Sequence, residues 1–246
     1  MPKFFVSAER IQGSRILLDE YNTAHLKALR LRQGEAILVS DGMGTDYECV
    51  FDGLENGAGV AAICARFPCE TEPDVQVALF AALPKGDKTE LILQKAVELG
   101  VWEVCFFLSS RCVSRPDAAS LEKRMARLAR VSEEAAMQSG RGRIPAVKWL
   151  SSFREMAEEA SKRELGLFLW EEARDESLRS ALKKQPVKPR TIALITGPEG
   201  GFSGEEAEQA VSRGLLPVTL GKRILRCETA PICALSAVMY ETANLE

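Results

Sequence analysis

From Lys3 to about Pro68, apolar residues come in short bursts: Phe4-Phe5-Val6, Arg15-Ile16-Leu17-Leu18, Ala36-Ile37-Leu38-Val39, Tyr47-Glu48-Cys49-Val50-Phe51 and Gly59-Val60-Ala61-Ala62-Ile63. Turn-forming stretches such as Asp41-Gly42-Met43-Gly44 and Glu55-Asn56-Gly57 separate several of them. Short strands joined by glycine turns predict a small β-barrel, interrupted by one helix over residues 22–31. The polar run Cys69-Glu70-Thr71-Glu72-Pro73-Asp74 ends that pattern. Beyond it, apolar strand-like segments near 75–83, 104–108, 146–149, 165–170, 191–196 and 217–220 alternate with helix-period segments near 87–99, 120–139, 152–163, 177–184, 204–213 and 230–243. That alternation predicts an α/β fold with an open parallel sheet, and a division into domains 1–72 and 73–246. Cap signals sharpen three helices. Asp87 with Glu90 and Ser203 with Glu206 both read as capping boxes, Gly214 as a stop, and Thr229 as either the cap of the last helix or a ligand contact.

With 246 residues, 46% of them hydrophobic, the chain is long enough to bury a substantial core. It shows neither a membrane-length apolar run nor a signal-peptide core, so a cytoplasmic protein with no membrane partner is expected. The seven cysteines include no Cys-x-x-Cys pair and His25 is the lone histidine, which argues against a zinc site and leads to an expectation of no metal. His25 is read as a packing residue or an RNA contact. The formal charge of -3 hides an uneven distribution. Residues 1–72 carry 7 basic against 11 acidic side chains, whereas 109–148 carry nine against four. A local basic stripe binds phosphate through local ion release even on an acidic protein.

Two glycine-bearing loops leave successive strands near the C-terminus. Ile192–Thr196 opens into Gly197-Pro198-Glu199-Gly200-Gly201-Phe202-Ser203, and Leu220-Gly221-Lys222-Arg223-Ile224-Leu225-Arg226-Cys227-Glu228-Thr229-Ala230 follows. Parallel strands deliver such loops to one sheet edge, so they predict one composite pocket. The first loop lacks the Lys-Ser or Lys-Thr pair of a mononucleotide phosphate loop, and the chain has no Gly-x-Gly-x-x-Gly dinucleotide fingerprint.

These two loops resemble those of the RsmE-type 16S ribosomal RNA (uracil-N3)-methyltransferases of the SPOUT class. The resemblance extends to Leu83-Pro84-Lys85-Gly86-Asp87-Lys88, Gln94-Lys95-Ala96-Val97-Glu98-Leu99-Gly100, Glu134-Ala135-Ala136-Met137-Gln138-Ser139-Gly140-Arg141, and His25-Leu26 with Leu29-Arg30. Met137 departs from it, standing where the similar motif commonly has a carboxylate. The resemblance implies a SPOUT-like trefoil-knotted parallel sheet preceded by a PUA-like RNA-binding β-barrel. It also implies S-adenosyl-L-methionine as cofactor, 16S ribosomal RNA of the small subunit as partner, and a homodimer. Thr196, Gly197, Pro198, Glu199, Gly200, Gly201, Leu220, Gly221, Ile224, Leu225, Thr229 and Ala230 would form the cofactor bed.

Methylating N3 of a uridine requires removal of its proton and stabilisation of charge on the neighbouring carbonyl oxygens. Arg226 and Arg223 are the candidate cations, and Glu228 or Glu199 the candidate base. Arg30, Arg111, Arg115, Arg124, Arg127 and Arg141 are the candidate RNA contacts. Ile232, Leu235, Val238 and Met239 line one face of the last helix, readable as a dimer stripe or as internal core.

Overall fold

The computed structural model describes residues 1–245, which form two compact units, one of Met1–Glu72 with Ala136–Ile144 and the other of Pro73–Ala135 with Pro145 onward. Among the described residues, no helix is long and apolar enough to cross a membrane.

In the first unit, β1 (Lys3–Phe5), β2 (Ile11–Gln12), β3 (Arg15–Leu17), β4 (Ala36–Ser40), β5 (Thr45–Glu55) and β6 (Ala58–Pro68) form one sheet ordered β1-β4-β5-β6-β3-β2. Only β1 and β4 pair in parallel. Asn56 and Gly57, at φ 50 and 85, turn β5 into β6. Two successive positive φ angles are what a tight hairpin needs to match strand twist. Helix α1 (Glu20–Ala28) starts at Asp19, whose side chain accepts from the Asn22 N–H. Phe4, Ile16, Leu18, Leu26, Ile37, Val39 and Phe51 build the core, and His25 packs edge-on against Phe4 at 5.7 Å.

The helix expected over 22–31 is displaced. It closes at Leu29, and Leu31 N–H reaches back to Leu26 O while Arg30 N–H donates to Lys27 O. Arg30 therefore lies beyond the helix at φ 57, in the left-handed position usually held by glycine.

The segment 136–144 also departs from a division at residue 72. Arg141 is 3% exposed and clamps Glu72 through Nε–Oε1 at 2.8 Å and Nη2–Oε2 at 2.7 Å. The buried Lys3–Asp46 pair, 2.7 Å apart, donates a further hydrogen bond from Lys3 to Gly140 O at 3.1 Å, and Ser40 Oγ donates to Gly142 O. A Cβ on Gly142 would stand 2.4 Å from Cys69 Sγ, so only glycine lets the segment lie this close.

The second unit is built on β7 (Gln76–Ala82), β8 (Glu103–Phe107), β9 (Ala146–Leu150), β10 (Leu165–Leu169), β11 (Thr191–Thr196) and β12 (Leu216–Val218). All neighbours are parallel, in the order β12-β10-β11-β7-β8-β9. Strands buried on both faces read as continuous apolar runs, as β7 and β10 do. The intervening helices are α2 (Lys88–Glu98), α3 (Ala118–Gln138), α4 (Phe153–Ala160), α5 (Leu178–Lys183), α6 (Gly204–Ser212) and α7 (Thr229–Glu241). Ala78, Phe80 and Ala82 of β7 join Phe107, Phe153, Phe168 and Phe202 in one core, with α4 and α6 over it.

Helix α7 packs on α2, α5, β7 and β11. Its Leu235, Val238 and Met239 are fully buried there, so of the two readings of the stripe these three residues are internal core, while Ile232 is half-buried. The Ser203–Glu206 capping box forms in full. The one expected at Asp87 does not, because Asp87 makes no side-chain cap and Glu90 pairs instead with Arg127. Thr229 is likewise the first helical residue of α7 rather than its cap, since Glu228 holds that place.

Removing Glu72 leaves the Arg141 charge buried without its clamp. Glu72→Ala is expected to lower unfolding free energy by about 3–5 kcal/mol, read from the denaturant midpoint, and a loss under 1 kcal/mol would contradict this account.

Candidate active site

The C-terminal ends of β10, β11 and β12 open onto one cavity of about 470 Å³, within the range of small-molecule sites. The loop after β11 supplies Thr196 through Gly201, and the loop after β12 supplies Leu220, Gly221, Arg223, Ile224, Leu225, Arg226 and Cys227. Leu169, Trp170 and Glu171 close it from β10, Lys88 from the start of α2, and Ala230 from α7.

The β11 loop is held from below and from both sides. Phe202 is 1% exposed and packs at a tilt against Phe168, 4.4 Å between ring centroids. A Cβ on Gly197 would come within 3.2 Å of that ring, while Gly201 N–H donates to Pro198 O to close the turn. Glu206, beginning α6, accepts from Ser203 N, Ser109 Oγ and Ser110 N, which joins this loop to the end of β8. Arg111 Nη1 donates to Gly200 O at 2.9 Å.

One ammonium then joins the β11 and β12 loops. Lys88 Nζ stands 3.2 Å from Glu199 Oε1, 3.0 Å from Glu228 Oε2 and 3.5 Å from Cys227 Sγ. Cys227 Sγ donates in turn to Glu228 at 3.2 Å, and the Lys85 N–H donates to Glu199 at 3.1 Å. The charges respond accordingly. Glu228 is held down at about 2 by its own backbone N–H, then by Lys88 and Cys227. Lys88 is raised above its ordinary value, first by the bond to Glu228, with burial opposing and Glu199 adding to it. Burial pushes Glu199 up, but hydrogen bonds from its own and the Lys85 backbone, Lys88 and Cys227 outweigh it and leave it low. Burial first, then both carboxylates, push the Cys227 thiol to about 12, so it remains a donor at neutral pH.

Of the sequence-predicted bed, Thr196, Gly197, Pro198, Glu199, Gly200, Gly201, Leu220, Gly221, Ile224, Leu225 and Ala230 line the cavity, and Thr229 does not. Arg223 and Arg226 line it as well, whereas Glu228 serves the Lys88 tie from beneath. A carboxylate held low by these hydrogen bonds is a weaker base than a free one, so the base role read for Glu228 from the sequence competes with its place in the tie. The basic residues separate too. Arg115 donates to Ser110 O at 3.3 Å, Arg124 to Gly86 O at 3.0 Å, and Arg127 pairs with Glu90 at 2.8 Å. Arg141, expected as an RNA contact, is 3% exposed and engaged by Glu72. Sequence reasoning missed Lys88. Its signal was the Leu83–Lys88 motif immediately before α2, where Lys88 follows a cap position that its neighbour leaves unused.

Because the pKa of Glu228 is depressed in the fold, its part in the tie is complete above the ordinary 4.5 and is lost as pH falls toward about 2. Lys88→Met should raise the Glu228 midpoint toward 4.5 in a carboxyl-carbon NMR titration. An unchanged midpoint would mean that the backbone alone holds it down.

A profile described as the RNA methyltransferase domain matches residues 71–239. Over 224 residues the chain is 30% identical to ribosomal RNA small subunit methyltransferase E of Bacillus subtilis, covering 89% of this chain and 87% of that one. It is 32% identical to the protein of the same name from Synechocystis, covering 96% and 76%. A ribosomal RNA small subunit methyltransferase E from Neisseria gonorrhoeae, solved bound to S-adenosyl methionine, is 32% identical with a TM-score of 0.86, covering 98% and 97%. A Legionella pneumophila protein solved with the same cofactor is 30% identical with a TM-score of 0.87, covering 97% and 96%. With a parallel sheet whose loops meet in one cavity, and relatedness along nearly its whole length, the chain belongs to the RNA methyltransferase family that includes the ribosomal RNA small subunit methyltransferases E.

Proposed function

We propose that this protein transfers a methyl group from S-adenosyl-L-methionine to N3 of a uridine in 16S ribosomal RNA of the small subunit. The observation that carries the reading is the cavity itself, in which the two glycine loops of the family resemblance meet at the C-terminal ends of β10, β11 and β12. Its lining combines four glycines, Pro198 and Ala230 with larger side chains such as Trp170, Leu220 and Leu225. Close backbone approach beside apolar side chains suits a cofactor whose sulfonium already activates the methyl group and needs chiefly to be held in line with an acceptor.

In this reading Gly197, Pro198, Gly200, Leu220, Leu225 and Ala230 hold the cofactor. The chain from Leu220 to Ala230 threads behind the loop that begins at Gly197, making a trefoil knot, and the first unit is a PUA-like barrel for RNA. The exposed guanidinium groups of Arg223 and Arg226 stand at the cavity, where they offset charge developing on the uracil oxygens. With Glu228 engaged, Glu199 is also a weak base at its lowered pKa. The arginines therefore act mainly by favouring the deprotonated uracil, whose N3 proton passes to solvent water before the methyl group is transferred from sulfur to N3. Arg111, Arg115, Arg124 and Arg127 track phosphates along one side of the second unit, and Arg30 does so on the first. A second copy of the chain completes the site. Ile224, 81% exposed beside the two arginines, supports that part by presenting an apolar side chain at the mouth.

N3-methyluridine in small-subunit RNA should appear with the protein and be absent without it, and an unchanged modification pattern would exclude this substrate. Arg226→Ala should leave cofactor affinity near wild type and slow single-turnover methylation by roughly 10²-fold, with Arg226→Lys recovering part. A normal rate would remove Arg226 from the chemistry.

A further inference from the structure

Glu171 and Glu199 line the cavity and Glu228 joins Glu199 on Lys88 behind it, so that two of these three carboxylates are occupied. Glu199 is held by Lys88 and the Lys85 N–H, and Glu228 by Lys88 and Cys227. The third, Glu171, borders the cavity with no ion pair or hydrogen bond to its carboxylate among the described residues. Its backbone is nonetheless fixed. Trp170 N–H donates to Val218 O at 3.2 Å, Ala173 N–H to Trp170 O at 3.1 Å, and Arg174 Nη1 to Glu171 O at 2.9 Å. The carboxylate lies directly over Gly201, where a Cβ would stand 1.8 Å from Glu171 Oε1. Gly201 is also at φ +65, so glycine both makes the turn and leaves room for this carboxylate.

We infer that Glu171 binds the vicinal hydroxyls of the cofactor's ribose, an inference that rests on the cofactor reading above. A carboxylate presents two acceptor oxygens in one plane, matched to two adjacent hydroxyl donors. The amino-acid end of the cofactor has its own attraction elsewhere. The Lys88–Glu199–Glu228 group combines one ammonium with two carboxylates, a local negative excess that attracts the cationic sulfonium and ammonium against the opposing charge of Arg223 and Arg226 at the same cavity. Glu171 is then left for the neutral sugar. It selects ribose over deoxyribose, because a bound ligand lacking the hydroxyls would displace water from the carboxylate and offer it no donors in return.

Calorimetry with S-adenosylhomocysteine and its 2′-deoxy analogue tests this on the intact protein. Wild type should prefer the ribose ligand by about tenfold or more. Glu171→Ala should weaken S-adenosylhomocysteine about 10- to 100-fold and bring the ribose preference close to one. Glu171→Gln, which keeps one acceptor oxygen and the side chain's shape, should fall between the two. Retention of the full preference in Glu171→Ala would overturn the inference. So would a loss seen with S-adenosylmethionine and not with S-adenosylhomocysteine, since the carboxylate would then be answering the sulfonium charge. If wild type binds neither cofactor nor product, the cofactor reading itself fails, and that result is distinct from both of the others.

Discussion

A single ammonium shared by two carboxylates is the interaction on which the cavity depends. Lys88 enters at the start of α2, and its two partners belong to loops that leave different strands, Glu199 after β11 and Glu228 after β12. Neither loop carries a regular hydrogen-bond ladder of its own. The parallel sheet brings them to one edge, but an edge fixes only their starting points. Phe202 anchors the first loop in the aromatic core, and the Arg226 carbonyl accepts from Thr229 and Ala230 to start α7 after the second. Between those anchors, Lys88 is the side chain that joins the two loops to each other.

The tie also constrains the chemistry. A carboxylate engaged by an ammonium, its own N–H and a thiol is stabilised in its charged form, and that stabilisation weakens it as a base. Structural hold and proton abstraction are competing demands on one side chain. Glu228 answers the first. Under the proposed reaction, most of the burden then passes to the arginines at the mouth, which lower the free energy of the anion rather than take the proton themselves.

Much of the second unit was legible in the sequence because its signals are local. β11 begins and ends where the apolar run Thr191–Thr196 does, and the Ser203–Glu206 box needs only residues three apart. The failures share a different cause, since each was decided by a partner distant in the chain. Glu90 was drawn from its expected cap by Arg127, and Arg141 is engaged by Glu72, 69 positions away. The same long-range pairing brought residues 136–144 into the first unit. The stripe on α7 was visible, but whether β7, β11, α2 and α5 or a second chain covers such a face is a tertiary fact. Lys88 was hidden for the same reason. A lysine at a helix start has no local distinction until the loops at 199 and 228 arrive around it.

The basic residues around the cavity show how RNA docking and cofactor binding become linked in the proposed enzyme. Arg111 gives one N–H to Gly200 O, and Arg124 gives one to Gly86 O, in the loop that precedes Lys88. A guanidinium has five N–H donors in a fixed plane, so one bond to a loop carbonyl orients the group and leaves donors for a phosphate. The same side chains would then brace the loops and receive the RNA backbone. Phosphate binding would draw on arginines already oriented by the loop carbonyls, with less side-chain entropy left to lose than for free ones.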